Sequence, residues 1–558
     1  MMTTRNSNAR FELAPQVEIE RSTFDRSTSI KTSFNVGELI PFYVDEVLPG
    51  DTFEIKTSKV ARLQTLITPI MDNLYLDTYY FFVPNRLVWE HWKEFCGENT
   101  QSAWIPSVTY SIPQITEPSG GWATGTIADY FGLPVGRTGS SDRWSFNALP
   151  FRAYALICNE WFRDENLEMP LVIPKGDATV VGVNTDTYYT DVAKGGAPYP
   201  ACKYHDYFTS CLPAPQKGPD VNFYDGVIPV YTYGFVPLDN TFPNASQITP
   251  LSWLKNNSDF DPVDTAGNIQ VNGSNKTYKS TAASGTVDTN IFPANLWADM
   301  SLASGQTINN LRQAFQIQRL FEKDARSGTR YIEVLEAHFS VKSPDARLQR
   351  PEYLGGNRVP FNIEQVVQNS STDSTSPQGN VAGWSQTNDF SDDVHKSFVE
   401  HGYIIGLMCA RYDHSYQQGI EPMWSRTDRF DFYWPALAHL GEKAVLKKEI
   451  YAYDTKANGN KVFGYQEAWA EYKYKPNYVT GQMRSQYAQS LDIWHFADNY
   501  VSMPSLTSGW IQEDKRPVDR TLAVPSTTSN QIFIDILVSN KCTRPMPLYS
   551  IPGLIDHF

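Results

Sequence analysis

Ser33 to Arg86 reads SFNVGELIPFYVDEVLPGDTFEIKTSKVARLQTLITPIMDNLYLDTYYFFVPNR, and its alternation predicts consecutive β-strands with no catalytic polar cluster between them. Leu74, Leu76, Thr78, Tyr80 and Phe82 fall on one face of a strand, and Tyr75, Asp77, Tyr79, Phe81 and Val83 on the other. Both faces are largely apolar or aromatic, so the strand is expected to be covered on both sides. Pro49-Gly50-Asp51 signals a turn, and Pro84 ends the aromatic strand because proline donates nothing to a ladder. Working outward, Phe53-Glu54-Ile55-Lys56 alternates, as do Ile532, Ile534, Ile536 and Val538, with Phe533, Asp535 and Leu537 on their opposite face. Both ends of the chain therefore supply strands to one core. Tyr403 to Cys409 (YIIGLMC) is a continuous apolar run, read as a central strand covered on both faces. Val445 to Tyr453 reads as a further strand, closed by the turn-like KANGN.

Composition agrees with an all-β chain carrying long insertions. Of 558 residues, 41% are hydrophobic and 13% aromatic, with 36 prolines and 34 glycines, a balance that favours strands and turns over helical bundles. No apolar run is long enough to span a bilayer, and MMTTRNSNARFELAPQ lacks the apolar core of a signal peptide, which predicts a chain made and kept in cytoplasm. Six scattered cysteines (Cys96, Cys158, Cys202, Cys211, Cys409, Cys542) contain no CxxC pair, so free thiols are expected rather than a disulfide framework or a zinc ribbon. The net charge of -14 argues against condensing nucleic acid unaided. Residues 1–35 hold Arg5, Arg10, Arg21, Arg26 and Lys31 against Glu12, Glu18, Glu20 and Asp25, a mixed arm rather than a polybasic tail. Those five cations are the candidates for nucleic-acid contact, the alternative being an arm that orders against neighbouring copies of the chain.

Helices are expected only as punctuation. The clearest runs from Thr307 to Arg326, with Ile308, Leu311, Phe315, Leu320 and Phe321 as a packed apolar stripe, Thr307 as N-cap and Gly328 as stop. Shorter helices are expected over Trp89–Gly97 and Ala153–Asn166, the latter anchored by Trp161 and Phe162. Between about Gly176 and Asn290 the chain changes character, and from Asn240 onward it is dominated by Asn, Ser, Thr, Asp and Gly, a surface connection by composition. Its four Asn-x-Ser/Thr sequons, at Asn244, Asn256, Asn272 and Asn275, follow from that composition and need carry no glycan. Asn369 to Asp389 is expected to be a second exposed loop.

Catalytic motifs are missing from the sequence: it holds no GxSxG elbow, HExxH helix, P-loop or GxGxxG fingerprint. A jelly-roll carbohydrate-binding protein or glycoside hydrolase is the alternative reading, since two carboxylates suffice for that chemistry and 61 acidic residues always offer pairs. His395 and His401 lack the spacing of ligands one helical turn apart, so neither a metal nor a cofactor is expected. In Arg411-Tyr412-Asp413-His414, Arg411 and Asp413 are expected to pair with each other and fix a loop or subunit contact. In the string Pro351, Glu352, Tyr353, Leu354, Gly355, Gly356, the glycines are expected to permit a tight turn rather than to bind phosphate.

Four strings, NVGELIPFYVDEVLPGDTF, Arg330 to Gly356, Gly406 to Trp424 and CTRPMPLYSIPGLIDHF, resemble the major capsid proteins of the Microviridae, small tailless bacteriophages with single-stranded DNA, and within them the gokushovirus branch. Ser340 departs from the pattern, in which glycine is expected. The resemblance implies an eight-stranded antiparallel jelly-roll barrel with long loop insertions and a few short helices. Its divisions would be an arm (1–36), a first core part (37–175), a protruding insertion (176–290) and a second core part with covering helix and C-terminal extension (291–558). It further implies a non-enzymatic subunit, sixty copies of which form a T=1 icosahedral shell around circular single-stranded DNA. The implied partners are a small basic DNA-binding virion protein, a minor pilot-type virion protein and a host surface receptor, with no membrane insertion. The virion, and the bacterial cytoplasm during assembly, are the implied locations. Attachment candidates in the insertion are Asn244, Asn256, Asn257, Asp259, Asn272, Asn275, Lys276 and Tyr278.

Overall fold

A computed structural model describes residues 20–98, 108–137, 142–219, 308–328, 330–374 and 377–549, together with short strands between 230 and 298. The chain divides into two compact units, Met1–Lys217 with Glu322–Phe558, and Gly218–Phe321.

Eight long strands organise the first unit: β1 (Thr28–Phe34), β2 (Glu38–Val47), β3 (Thr52–Leu63), β4 (Leu74–Pro84), β5 (Glu352–Pro360), β6 (Thr387–Ser397), β7 (Gly402–Tyr412) and β8 (Ile532–Arg544). One sheet runs β1-β8-β3-β6, and Ser22–Asp25 extends it by pairing with the end of β8. The other runs β5-β4-β7-β2, with Tyr199–Pro200 pairing beside β2. Pairing within both is antiparallel. The turn expected between β2 and β3 is present: Gly50 adopts φ of 90°, the Asp51 amide donates to the Leu48 carbonyl (3.0 Å), and Asp51 Oδ2 accepts from the Leu48 amide (2.9 Å).

The sheets share a core built from Phe53 and Ile55 of β3, Ile532, Ile534, Ile536 and Val538 of β8, Leu76, Tyr80 and Phe82 of β4, and Ile404 and Met408 of β7. Strands from both ends of the chain thus meet in one core, as their alternation predicts. A second core lies on the far face of the β4–β7 sheet, where Phe81, Val83, Ile405 and Leu407 meet Tyr154 and Ile157 of helix α1 (Leu149–Ile157), with Trp89 and Trp122. The double covering expected of β4 and of Tyr403–Cys409 is therefore present.

Several local expectations differ. Strand Glu442–Leu446 stops short, because Glu449 accepts from the Leu446 amide (2.9 Å) and starts a helical turn over Lys447–Ile450. KANGN is helical over Lys456–Gly459, with the Thr455 hydroxyl capping the Asn458 amide. The Asn369–Asp389 loop is largely a hairpin: Val381–Ser385 pairs with Ile363–Val367, and β6 begins at Thr387. Of the helix expected over Trp89–Gly97 only the turn Trp92–Phe95 forms, and a separate turn, Asn85–Val88, precedes it. Helix α1 continues as a wider π turn through Cys158–Phe162, with Trp161 and Phe162 against the second core.

Helix α2 (Ile308–Ser327) matches the expected span, and Gly328 with φ of 90° follows it. Thr307 lies outside the described residues. Leu311, Phe315 and Leu320 are exposed rather than buried. After α3 (Tyr331–Phe339), Ser340 takes φ of 55°, so the turn survives without glycine. The six cysteines are free. Among the described residues, no helix is long and apolar enough to cross a membrane.

The insertion expected over 176–290 is cut differently. Residues 176–217 group with the first unit, because Val192, Tyr199 and Ala201 are buried in its second core. The unit Gly218–Phe321 contains small antiparallel pairings, Val230–Thr232 with Leu296–Ala298, Trp253–Leu254 with Phe292–Pro293, and Asn268–Val271 with Tyr278–Thr281.

Candidate assembly and partner surfaces

The basic residues of the arm meet acceptors in their own chain. Arg26 Nη2 lies 2.5 Å from Asp45 Oδ1, and the same carboxylate accepts from the Tyr43 hydroxyl (3.0 Å). Arg21 donates to the Gly50 carbonyl, and Lys31 Nζ lies 3.5 Å from Asp535 across the β1–β8 ladder. Arg5 and Arg10 lie outside the described residues, as do Asn244, Asn256, Asn257, Asp259, Asn272, Asn275 and Lys276. Tyr278 opens a short strand.

Arg411 does not pair with Asp413. Its Nη2 donates to Asp77 Oδ2 on the neighbouring strand (2.6 Å), while Asp413 accepts from the Tyr75 hydroxyl (3.3 Å). Asp77 is buried and also receives Arg358 Nε (2.8 Å), the Tyr79 hydroxyl (3.0 Å) and the Tyr204 hydroxyl (2.8 Å). Burial alone would raise its pKa, but Arg411 and Arg358 outweigh burial and hold it below the usual carboxylate range. The Tyr204 ring lies between the two guanidinium groups, 4.2 Å from Arg358 and 4.3 Å from Arg411. This cluster straps the segment around Tyr204 onto the far face of the β4–β7 sheet. Arg358 and Tyr204 carry no local sequence signal, since they lie far along the chain from Asp77.

The PEYLGG string forms a strand instead of a tight turn. Pro351 precedes β5 and its carbonyl accepts from Trp161 Nε1 (3.0 Å), Glu352 pairs with Lys396, and the Tyr353 ring lies 5.5 Å from that of Phe81. The register shifts between Tyr353 and Gly355. A side chain at Gly355 would overlap the Asp393 carbonyl, and one at Gly356 the Thr78 carbonyl. These glycines let neighbouring backbones approach.

His414 is buried between two carboxylates, with Nδ1 3.1 Å from Asp498 and Nε2 2.9 Å from Glu513. Burial opposes its charge, yet the flanking Asp498 and Glu513 push the imidazole up to about 10. Lys203 Nζ adds a second cation 3.7 Å from Asp498. His395 and His401 do not meet: one faces Glu54 across the β6–β3 ladder, the other lies against the Trp92 ring. No group of three or more metal-ligating side chains is present among the described residues.

Glu165 and Glu333 are a candidate carboxyl pair for the hydrolase alternative. They share Arg330, whose Nη1 lies 2.5 Å from Glu165 and 3.4 Å from Glu333. The shared guanidinium stands between the two carboxyls, where a glycosidic bond would have to lie.

The surface around Pro422–Ser425 and Ala470–Lys473 was not foreseen. Trp424, Phe430, Phe432, Tyr433, Trp434, Tyr472, Tyr474 and Tyr478 are all exposed. The run RFDFYW at Arg429–Trp434 was its signal in sequence. Arg426 joins the parts, with its guanidinium 5.3 Å from the Phe432 ring and 4.4 Å from that of Tyr472.

A family model described as "Capsid protein (F protein)" matches residues 14–554. "Capsid protein VP1" of Chlamydia phage 1 is 42% identical, over 98% of this chain and 97% of that relative. "Capsid protein VP1" of Spiroplasma virus 4 is 44% identical over 94% and 93%, and that of Bdellovibrio phage phiMH2K 40% over 100% and 99%. The resemblance read from the four sequence strings is borne out along the whole chain, which belongs to the phage F-type capsid protein family.

Proposed function

We propose that this capsid-family chain is the major structural subunit of a T=1 icosahedral shell, sixty copies enclosing circular single-stranded DNA. The observation that carries the reading is the match to capsid proteins over nearly the full length of both partners. Strand order supports the jelly-roll form of the subunit. Four-strand orders β1-β8-β3-β6 and β5-β4-β7-β2, facing one core, are what two interlocked Greek keys produce. The subunit acts by assembly and not by turnover, and its working location is the virion.

In this reading the unit Gly218–Phe321 serves attachment to a host surface receptor, supported by its separate compactness and its polar composition. Packaging draws on a small basic DNA-binding protein, because the chain carries -14 and its ordered arm cations Arg26 and Lys31 already have carboxylate partners. A minor pilot-type virion protein completes the particle.

Cryo-electron microscopy of particles from infected cells tests the reading. Closed shells of sixty copies holding DNA are expected, and open oligomers or a larger lattice overturn the T=1 form. Deleting Asn244–Asp288 should leave shells intact and reduce host attachment; loss of all particles contradicts the attachment role. Neutralising Arg5, Arg10, Arg21 and Arg26 together should lower packaged DNA if the arm meets the genome, and alter assembly alone if it meets a neighbour.

A further inference from the structure

The aromatic surface spanning Met423–Trp434 and Tyr472–Tyr478 stands out because so much of it faces solvent. Trp424 is 75% and Phe430 65% exposed, whereas large aromatic side chains ordinarily bury most of their area. The eight exposed rings present roughly 900 Å², taking about 150–250 Å² for each whole side chain. That exceeds the largest apolar patch of an ordinary monomer, about 300–600 Å². It matches the ~800 Å² that each partner contributes to a standard protein interface.

Contacts join the rings from Phe430 to Trp434 with Tyr472. Arg429 lies 4.9 Å from the Trp434 ring and 6.0 Å from that of Phe430, and Trp434 Nε1 donates to the Arg429 carbonyl (3.0 Å). Tyr433 reaches the Tyr472 ring at 6.3 Å, and Lys475 lies 5.4 Å from the Tyr478 ring. Beneath them opens a cavity of about 210 Å³ walled by Phe208, Met423, Tyr472 and Tyr474, wide enough for one inserted side chain.

Charge decides what covers it. Arg426 and Lys443 share Glu471 (3.8 and 3.5 Å), Lys473 pairs with Glu467, and Lys475 lies 3.7 Å from Glu421. Arg429 lies against the Trp434 and Phe430 rings with no such carboxylate, so the four paired cations leave this surface one open charge, where nucleic-acid binding requires several to neutralise phosphates. A protein partner loses nothing by this, since Tyr, Trp and Arg enrichment with balanced charge is the composition of interface cores and hot spots.

We infer that this aromatic surface is a contact between copies of the chain, with Trp424 and Phe430 as its anchors. The inference rests on the shell-forming role proposed above and adds the surface through which one copy holds the next.

The test introduces Trp424→Ser with Phe430→Ser into the complete viral gene set, alongside the parent and a control, Val399→Ser, an apolar residue 87% exposed elsewhere. Particle yield is read by sedimentation, folding of the soluble chain by its thermal midpoint, and nucleic-acid affinity by anisotropy of a fluorescein-labelled single-stranded oligonucleotide. Expected are a yield at least tenfold lower for the double variant, an unchanged midpoint, unchanged oligonucleotide affinity, and a control like the parent. Parental yield from the double variant overturns the inference alone, as does reduced oligonucleotide affinity with assembly intact. If the lost yield comes with a lowered midpoint, the single Trp424→Tyr variant decides: yield restored along with the midpoint assigns these residues to folding and overturns the inference, and yield still low at a parental midpoint supports it. A parent without particles overturns the shell-forming role itself.

Discussion

The two sheets of the sandwich are built from the same kind of strand and differ in what lies outside them. Along β8, buried Ile532, Ile534, Ile536 and Val538 alternate with more exposed Phe533, Asp535, Leu537 and Ser539, so one face packs and the other meets solvent. Along β4 and β7 nearly every residue is buried, because α1 and its neighbours cover the far face. A chain that pays for two covered faces gains a rigid slab from which Arg358, Arg411 and the β5 glycines are positioned. The half-covered sheet exposes Phe533, Asp535 and Leu537 on its outer side. Mutational cost should follow that asymmetry.

The largest difference is expected between two phenylalanines. Phe81→Ala opens a cavity under α1 and should cost about 3–5 kcal/mol. Phe533→Ala, on the open face of β8, should stay within about 0.5 kcal/mol. The shift in urea midpoint at unchanged slope checks both, and equal shifts would break the contrast between the sheets. Asp77→Ala comes next, because it leaves Arg411 buried without its carboxylate, a loss of about 3–5 kcal/mol where one partner of a buried pair is removed. Asp77→Ala with Arg411→Met should recover much of this; no recovery would show that Asp77 acts through Tyr204 and Arg358 instead.

Strand identity was legible where it is written locally. Ile-x-Ile-x-Ile on β8, YIIGLMC on β7 and the aromatic run of β4 each specify a strand and its covered faces through side-chain alternation alone. The bounds of α2 were legible from Gly328 and the apolar repeat. What failed depended on partners far along the chain. Arg411 and Asp413 lie two residues apart at the end of the apolar run, which made their pairing plausible, but Asp77 lies opposite Cys409 in the register and reaches Arg411 diagonally. Two adjacent glycines signal a turn until the carbonyls of Asp393 and Thr78 close on them. The strand expected through Tyr453 ended at Leu446 because Glu449 caps a backbone amide, a contact that hydropathy does not record.

Gly355 gives the third contrast, of intermediate size. Gly355→Ala drives a methyl group into the Asp393 backbone carbonyl where β5 and β6 approach, and should cost about 1–3 kcal/mol. Gly509→Ala, in the short helix Ser508–Ile511 with open space around it, should be neutral or slightly stabilising. Thermal midpoints of the two variants check this, and a harmless Gly355→Ala would mean that the two strands separate readily.

Near neutral pH, stability should change with pH through His414, and the sign is fixed by its neighbours. Asp498 and Glu513 face its two nitrogens, Lys203 stands beyond Asp498, and the Tyr412 ring packs 4.5 Å away. Its folded value of about 10 stands above the ordinary 6.5, so the folded state holds the proton more tightly than the unfolded chain. The stabilisation is complete below about pH 6.5 and is lost as pH rises through about 10. Asp498, held low despite its burial by His414 and Lys203, has the opposite dependence: its contribution is present above the ordinary carboxylate range and lost as pH falls below it. The parent should therefore exceed His414→Gln in thermal midpoint by a margin that narrows between pH 7 and 10.5. A margin that stays constant over that range would mean that His414 stabilises the cluster by packing and hydrogen bonding without its charge.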